Sequence, residues 1–185
     1  MSDFRFELTA EEKTYLRDLV QQSITSWFNP DKTASEPPKP PTEKLKEHFG
    51  AFVTLKLGGN LRGCIGNVRG TGELFRTVWN MARAAAFEDP RFPSLTEGEF
   101  NALDYEISIL SPIDTCPDPK QIETGRHGLI ISRGGQSGLL LPQVATEWKW
   151  DRTTFLAQTC VKAGLEKDAW KKPGTTILWF EAVVF

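Results

Sequence analysis

The sequence predicts an α+β fold of two lobes, with a mainly antiparallel sheet flanked by helices. Three observations carry this. Two glycine pairs, Gly58-Gly59 and Gly134-Gly135, each sit between segments of alternating polarity, the pattern of a β-hairpin. Segments of helical periodicity separate the hairpins. The regular strand–helix–strand alternation that builds a parallel sheet is missing.

Residues 8–28 open the chain as a helix. Thr9 and Glu12 fit a capping box, and Leu16, Leu19, Val20, Ile24 and Trp27 recur as one apolar stripe. Pro30 is expected to stop it. Residues 30–41 are rich in proline and polar side chains, with little to bury, and read as a flexible linker. Residues 50–70 read as a hairpin turning at Gly58-Gly59-Asn60. Residues 71–90 read as a helix capped by Thr71, with Leu74, Phe75, Val78, Ala82 and Ala85 on one side, ended near Pro90. Thr96 and Glu99 form a second capping box. Residues 103–110 alternate as a strand, and 114–125 read as a loop. A second hairpin covers 127–142, a helix capped by Asp151 and closed at Gly164 covers 150–165, and 175–185 form the last strand.

With 185 residues, the chain is one domain spanning 1–185, with a smaller lobe expected around 112–150. Hydrophobic residues at 39% and charged residues at 25% suit a folded chain and exclude wholesale disorder. A net charge of −2 gives no bulk attraction to nucleic acid or anionic lipid, so neither is an expected partner. No apolar run approaches the roughly 20 residues that span a bilayer, and the start lacks the apolar core of a signal peptide. Three widely spaced cysteines suggest no disulfide framework and a reducing, cytoplasmic setting.

The chemistry concentrates in "LRGCIG", residues 61–66. On a regular strand Leu61 and Ile65 would share the core face, and Arg62 and Cys64 the other. A guanidinium there would favour a thiolate. Gly63 and Gly66 remove bulk, so a ligand or another backbone can come close. Two readings stay open: Cys64 as an activated or ligand-contacting thiol in a cleft, or as a small core residue packed under a helix. Cys160 reads as core, in contact with Leu165, and Cys116 as an exposed loop residue. His127 is an acid–base candidate at the start of a strand, with a histidine bonded to a loop carbonyl as the alternative. His48 looks like a helix-end residue. Glu106, mid-strand, would need a partner if buried, with arginine expected. Arg62, Arg69, Arg83 and Arg91 either line a positive cleft or each pair with an acid. Arg91 lies in a rigid turn with Asp89 and could face an anion. No P-loop, dinucleotide fingerprint, nucleophile elbow or metal-ligand spacing is present, so no cofactor or metal is expected.

"LRGCIG", "AAFEDPRFPSL", "YEISILSP", "HGLIIS", "GLLLPQVATEWKWD" and "FLAQTCVKAGL" occur in this order. Together with Trp170 they resemble the AMMECR family from about residue 10 to the C-terminus. The resemblance implies a two-lobed α+β domain whose larger lobe is an antiparallel sheet with flanking helices. It supplies no settled catalytic residue. Arg62, Gly63, Cys64 and Gly66 carry over as a functional surface, and microbial members are associated with Memo-type and radical-SAM proteins. The expected function is a cleft around 61–66, joined by Arg91, that binds a small ligand or a protein partner. The alternative is an enzyme in that shared pathway, with Cys64 as nucleophile or redox thiol, Arg62 beside it and His127 as proton carrier.

Overall fold

The structure is a computed structural model that describes residues 7–29 and 36–185. It is an α+β fold with antiparallel strand pairing. The chain divides into two compact units, Met1–Leu110 with Val183–Phe185, and Ser111–Ala182.

The first unit begins with α1, Ala10–Phe28, and its capping box forms as expected. Glu12 Oε2 accepts the Thr9 N–H at 2.8 Å, and Thr9 Oγ1 accepts the Glu12 N–H at 3.2 Å. Leu16, Leu19, Val20 and Ile24 are buried, but Trp27 is exposed and stacks on Phe87 with ring centroids 4.7 Å apart. Pro30 and the linker to residue 35 lie outside the described residues. Residues 36–41 have no regular structure, and Tyr15 donates its hydroxyl to Pro38 O at 2.6 Å.

Strands β1, Gly50–Leu57, and β2, Asn60–Asn67, are joined by Gly58 and Gly59, both at positive φ. That is the type I′ geometry whose twist matches the strands it connects. Strand β3, Leu103–Leu110, lies on the other side of β1, and Ile107 and Phe185 exchange both backbone hydrogen bonds, the mark of an antiparallel pair. Ala51, Val53, Leu55, Ile107 and Ile109 bury one face against α1 and against α2, Leu74–Phe87. Glu73 precedes α2 in place of the expected Thr71 cap, and its carboxylate takes Arg76 Nε at 3.0 Å instead of capping a backbone N–H. The Leu74 N–H is already satisfied by Glu47 O at 3.0 Å, so the first turn draws its acceptor from elsewhere in the unit. The short helix α3, Glu97–Phe100, carries the predicted Thr96/Glu99 box.

The β1–β2 register corrects the sequence reading. Leu55 faces Gly63, whereas Lys56 faces Leu61. Arg62 is therefore the extra residue of a bulge, which switches the face of whatever precedes it. Ile65 packs toward the core opposite Val53, as expected, but Leu61 turns outward and is 45% exposed.

In the second unit, β5, His127–Arg133, pairs with β6, Gln136–Leu140, and with β7, Thr176–Val184. The two-residue β4, Asp114–Thr115, also pairs with β7. Residues 142–147 form a helix, α4 (Pro142–Glu147), that the periodicity did not announce. Proline at its first turn needs no N–H partner there. Helix α5, Arg152–Lys162, starts at Asp151 and ends in a glycine cap. Gly164 is at φ +75°, and the Leu165 and Gly164 N–H groups bond to Cys160 O and Val161 O at 2.9 Å each. Cys160 is core, as expected. Cys116 is not the exposed loop residue expected: it is buried in the unit's apolar cluster, because Cys116 N–H bonds to Ile177 O and draws the loop against the sheet.

Gly63 lets β2 and α2 approach closely. A Cβ there would lie 2.1 Å from Ala85 O, a backbone atom that cannot step aside. Gly63→Ala should lower stability by about 1–3 kcal/mol through overpacking, measured as a reduced denaturation midpoint with an unchanged slope.

Candidate functional site

Cys64 sits opposite Thr54 in the register, and Thr54 sits opposite Glu106. These three share the face of the sheet turned away from α1 and α2. The Cys64 side chain is half-buried, and Thr54 Oγ1 donates to its Sγ at 3.3 Å. On the same face Glu106 pairs with Lys56 at 3.2 Å. The expected arginine partner is replaced by a lysine, brought there by the diagonal of the β1–β3 register.

The backbone of Cys64 is held from the side. Its N–H donates to Asp89 Oδ2 at 2.8 Å, and its carbonyl accepts from Arg91 Nη2 at 3.2 Å. Asp89 and Arg91 form a fork, Nε to Oδ1 at 2.9 Å and Nη2 to Oδ2 at 2.7 Å. The Arg91 N–H closes a small turn onto Asp89 Oδ1 at 3.1 Å. The Asp89 side chain is only 2% exposed. Arg91, above all, holds its carboxyl well below the ordinary range. Burial opposes this, and the Cys64 and Arg91 N–H groups add to it.

Arg62 belongs to a second fork. The bulge re-aims it to Glu99, with Nε to Oε1 at 2.9 Å and Nη2 to Oε2 at 3.1 Å. Its charge is thus bound to a carboxylate rather than directed at the thiol. Arg62 holds the Glu99 carboxyl down to about 2, with help from Thr96. The guanidinium groups of Arg62 and Arg91 both lie over the Phe92 ring, at 5.9 and 5.5 Å. Arg83 is placed elsewhere in the unit, with Nη2 donating to Ser26 Oγ and the group flanked by Trp27 and Trp79. Arg69 is exposed.

The first unit therefore brings together Arg62, Gly63, Cys64, Gly66 and Arg91. Gly66 has the Phe52 ring where a Cβ would be, 2.2 Å away. His127 belongs to the second unit. It is 3% exposed, accepts the Glu123 N–H on Nδ1 at 2.9 Å and stacks on Trp179 at 4.5 Å. Its Nε2 is 4.0 Å from Glu181 Oε1, which also takes Arg126 Nε at 3.0 Å. Burial, then Arg126, pushes its pKa down, so the ring is a neutral acceptor in the fold. Among the described residues no cluster of three or more His, Cys, Asp or Glu could hold a metal ion, and no helix is long and apolar enough to cross a membrane.

Sequence reasoning singled out Asp89 as a turn residue but missed its bond to Cys64. It took Glu99 only as a cap and passed over Thr54. A pairing across 37 residues, as between Arg62 and Glu99, leaves no periodic trace.

A family model described as AMMECR1 matches residues 17–185. Protein MK0488 of Methanopyrus kandleri is 42% identical, covering 97% of this chain and 90% of that protein. A Thermococcus gammatolerans protein is 44% identical, covering 97% and 92%. The crystal structure of the uncharacterized protein PH0010 from Pyrococcus horikoshii superposes with a TM-score of 0.89 at 38% identity, covering 97% of this chain and 93% of that one.

The pKa shifts fix the direction of acid sensitivity. A histidine held below its ordinary value of 6.5 is neutral in the fold while the unfolded chain takes up a proton. Stability present above 6.5 is then lost as pH falls toward the folded value. The melting temperature should fall as pH drops below the ordinary histidine value of 6.5, and His127→Gln should flatten that slope. Glu99 acts at lower pH, with stability present above its ordinary 4.5 and lost as pH falls toward about 2. Glu99→Ala strands Arg62, itself 8% exposed, and should reduce the unfolding free energy at neutral pH by roughly 1–3 kcal/mol in a denaturant titration.

Proposed function

The chain belongs to the AMMECR1 family, and on that premise we propose that the outer face of the β2–β1–β3 sheet, centred on Cys64, is a binding surface for a small ligand or a partner protein. One observation carries this reading. Cys64 presents a half-exposed thiol on a strand whose backbone is already pinned at that residue by Asp89 and Arg91. A contact surface held rigid before binding loses little further freedom on association. Arg62 and Arg91 are each neutralised by a carboxylate. The surface therefore favours recognition by shape and hydrogen bonding over capture of an anion. Leu61, Phe52 and Thr54 supply the apolar and hydroxyl contacts beside the thiol.

A second reading is an enzyme that uses Cys64 as nucleophile or redox thiol. In its favour, Cys116 and Cys160 are both buried, with thiols pushed up first by burial, while Cys64 is the cysteine within reach of solvent. Memo-type and radical-SAM proteins are the partner class that the family resemblance suggests under either reading. All three cysteines are free, in keeping with a cytoplasmic setting.

Cys64→Ser separates the readings. Serine still accepts the Thr54 hydroxyl, so the variant should fold within about 1 kcal/mol of the parent. Chemical-shift mapping with a library of small fragments should cluster on Phe52, Thr54, Leu61 and Cys64 in the parent and weaken in the variant. Binding indifferent to Cys64→Ser would count against the surface. Rapid, selective iodoacetamide alkylation of Cys64 at about pH 6 to 7 would favour the enzyme.

A further inference from the structure

Among the described residues of the first unit β2 pairs with β1 alone, so its other side is an edge, where a strand normally leaves N–H and C=O groups open to another chain. At Cys64 both groups are taken. Asp89 Oδ2 accepts the N–H and Arg91 Nη2 donates to the carbonyl, as a neighbouring strand would. The two side chains come from residues 89 and 91, just after α2, and they are locked to each other before they reach the strand. Asp89 has no spare acceptor capacity: Oδ1 takes the Arg91 N–H and Nε, and Oδ2 takes Cys64 N–H and Arg91 Nη2.

We propose that Asp89 and Arg91 are a positioning pair that closes the edge of β2 at Cys64 and fixes the direction in which its side chain leaves the strand. This deepens the binding-surface reading and rests on it for its purpose. Approach along the edge is refused, and approach to the thiol is left to the sheet face shared with Thr54. Gly63 serves the same arrangement. Its missing side chain lets the end of α2 come down on β2 at Ala85, which brings the following turn to the edge. The division of labour within the carboxylate explains why an amide would not substitute for Asp89. An asparagine has one acceptor oxygen where two separate partners are served. Arg91 is the softer of the two to remove, since its side chain is 51% exposed while Asp89 is buried.

The test is amide NMR on the ¹⁵N-labelled full chain, comparing the parent with Arg91→Ala. In the parent the Cys64 amide frequency should stay flat from neutral pH down to about pH 3, because the carboxylate it donates to does not take up a proton there. In Arg91→Ala the carboxyl of Asp89 returns toward its ordinary value of 3.8, and the Cys64 amide should follow that titration. Hydrogen exchange at Cys64 should also rise by at least about tenfold, while Ile65, whose register partner is Val53, keeps its protection. The proposal requires both results. A Cys64 amide that does not titrate, or exchange that is unchanged or rises evenly along β2, overturns it. Should Arg91→Ala fail to fold, Arg91→Gln, which removes both the charge and the fork while keeping much of the side-chain stem, is read the same way. The readout needs no ligand, so an unoccupied binding surface and a failed positioning pair would be told apart.

Discussion

The carboxylate of Asp89 is buried, charged and surrounded by four donors, and that combination shapes the first unit. A lone buried carboxylate would be costly. Here desolvation is offset by a bidentate arginine and two backbone N–H groups, one of them from another element. Because the donors come from the turn and from β2 together, the charge stays satisfied only while both remain in place. The packing of α2 on Gly63 and the closure of the β2 edge are thus one arrangement viewed from two sides.

The charge pattern around the LRGCIG segment follows the same logic. Four arginines suggested a positive cleft, yet Arg62 and Arg91 are each held by a carboxylate in fork geometry and Arg83 rests between indole rings. Forked pairs that are partly buried act more as geometric fixtures than as sources of field, since opposite charges in contact cancel at a distance. The polar groups that remain on the sheet face, beside Phe52 and Leu61, are a thiol, a threonine hydroxyl and the Lys56–Glu106 pair. The two buried cysteines are protected by desolvation, which disfavours thiolate, and so Cys64 is set apart by position more than by any special neighbour.

The second unit illustrates how a chemically suggestive residue becomes structural. His127 has the residue type for proton transfer, but its Nδ1 is used by Glu123 N–H and its face is covered by Trp179. A buried ring serving as an acceptor must stay neutral, so it stiffens the start of β5.

What the sequence determined by itself was local. The capping boxes at Thr9 and Thr96, the Asp151 cap, the glycine cap after α5 and the two glycine turns were all legible, because each is decided by residues within about five positions of one another. The antiparallel, α+β character followed from hairpins separated by helices. The membership in a family was legible from ordered motifs. Tertiary structure decided the rest. A one-residue bulge at Arg62 reversed the face of Leu61, and no periodicity announces a bulge. The burial of Cys116, the lysine partner of Glu106, and the pairings of Arg62 with Glu99 and of Cys64 with Asp89 join residues that only the folded chain brings together. These contacts depend on which backbones approach closely, and close approach is set by packing across the whole unit.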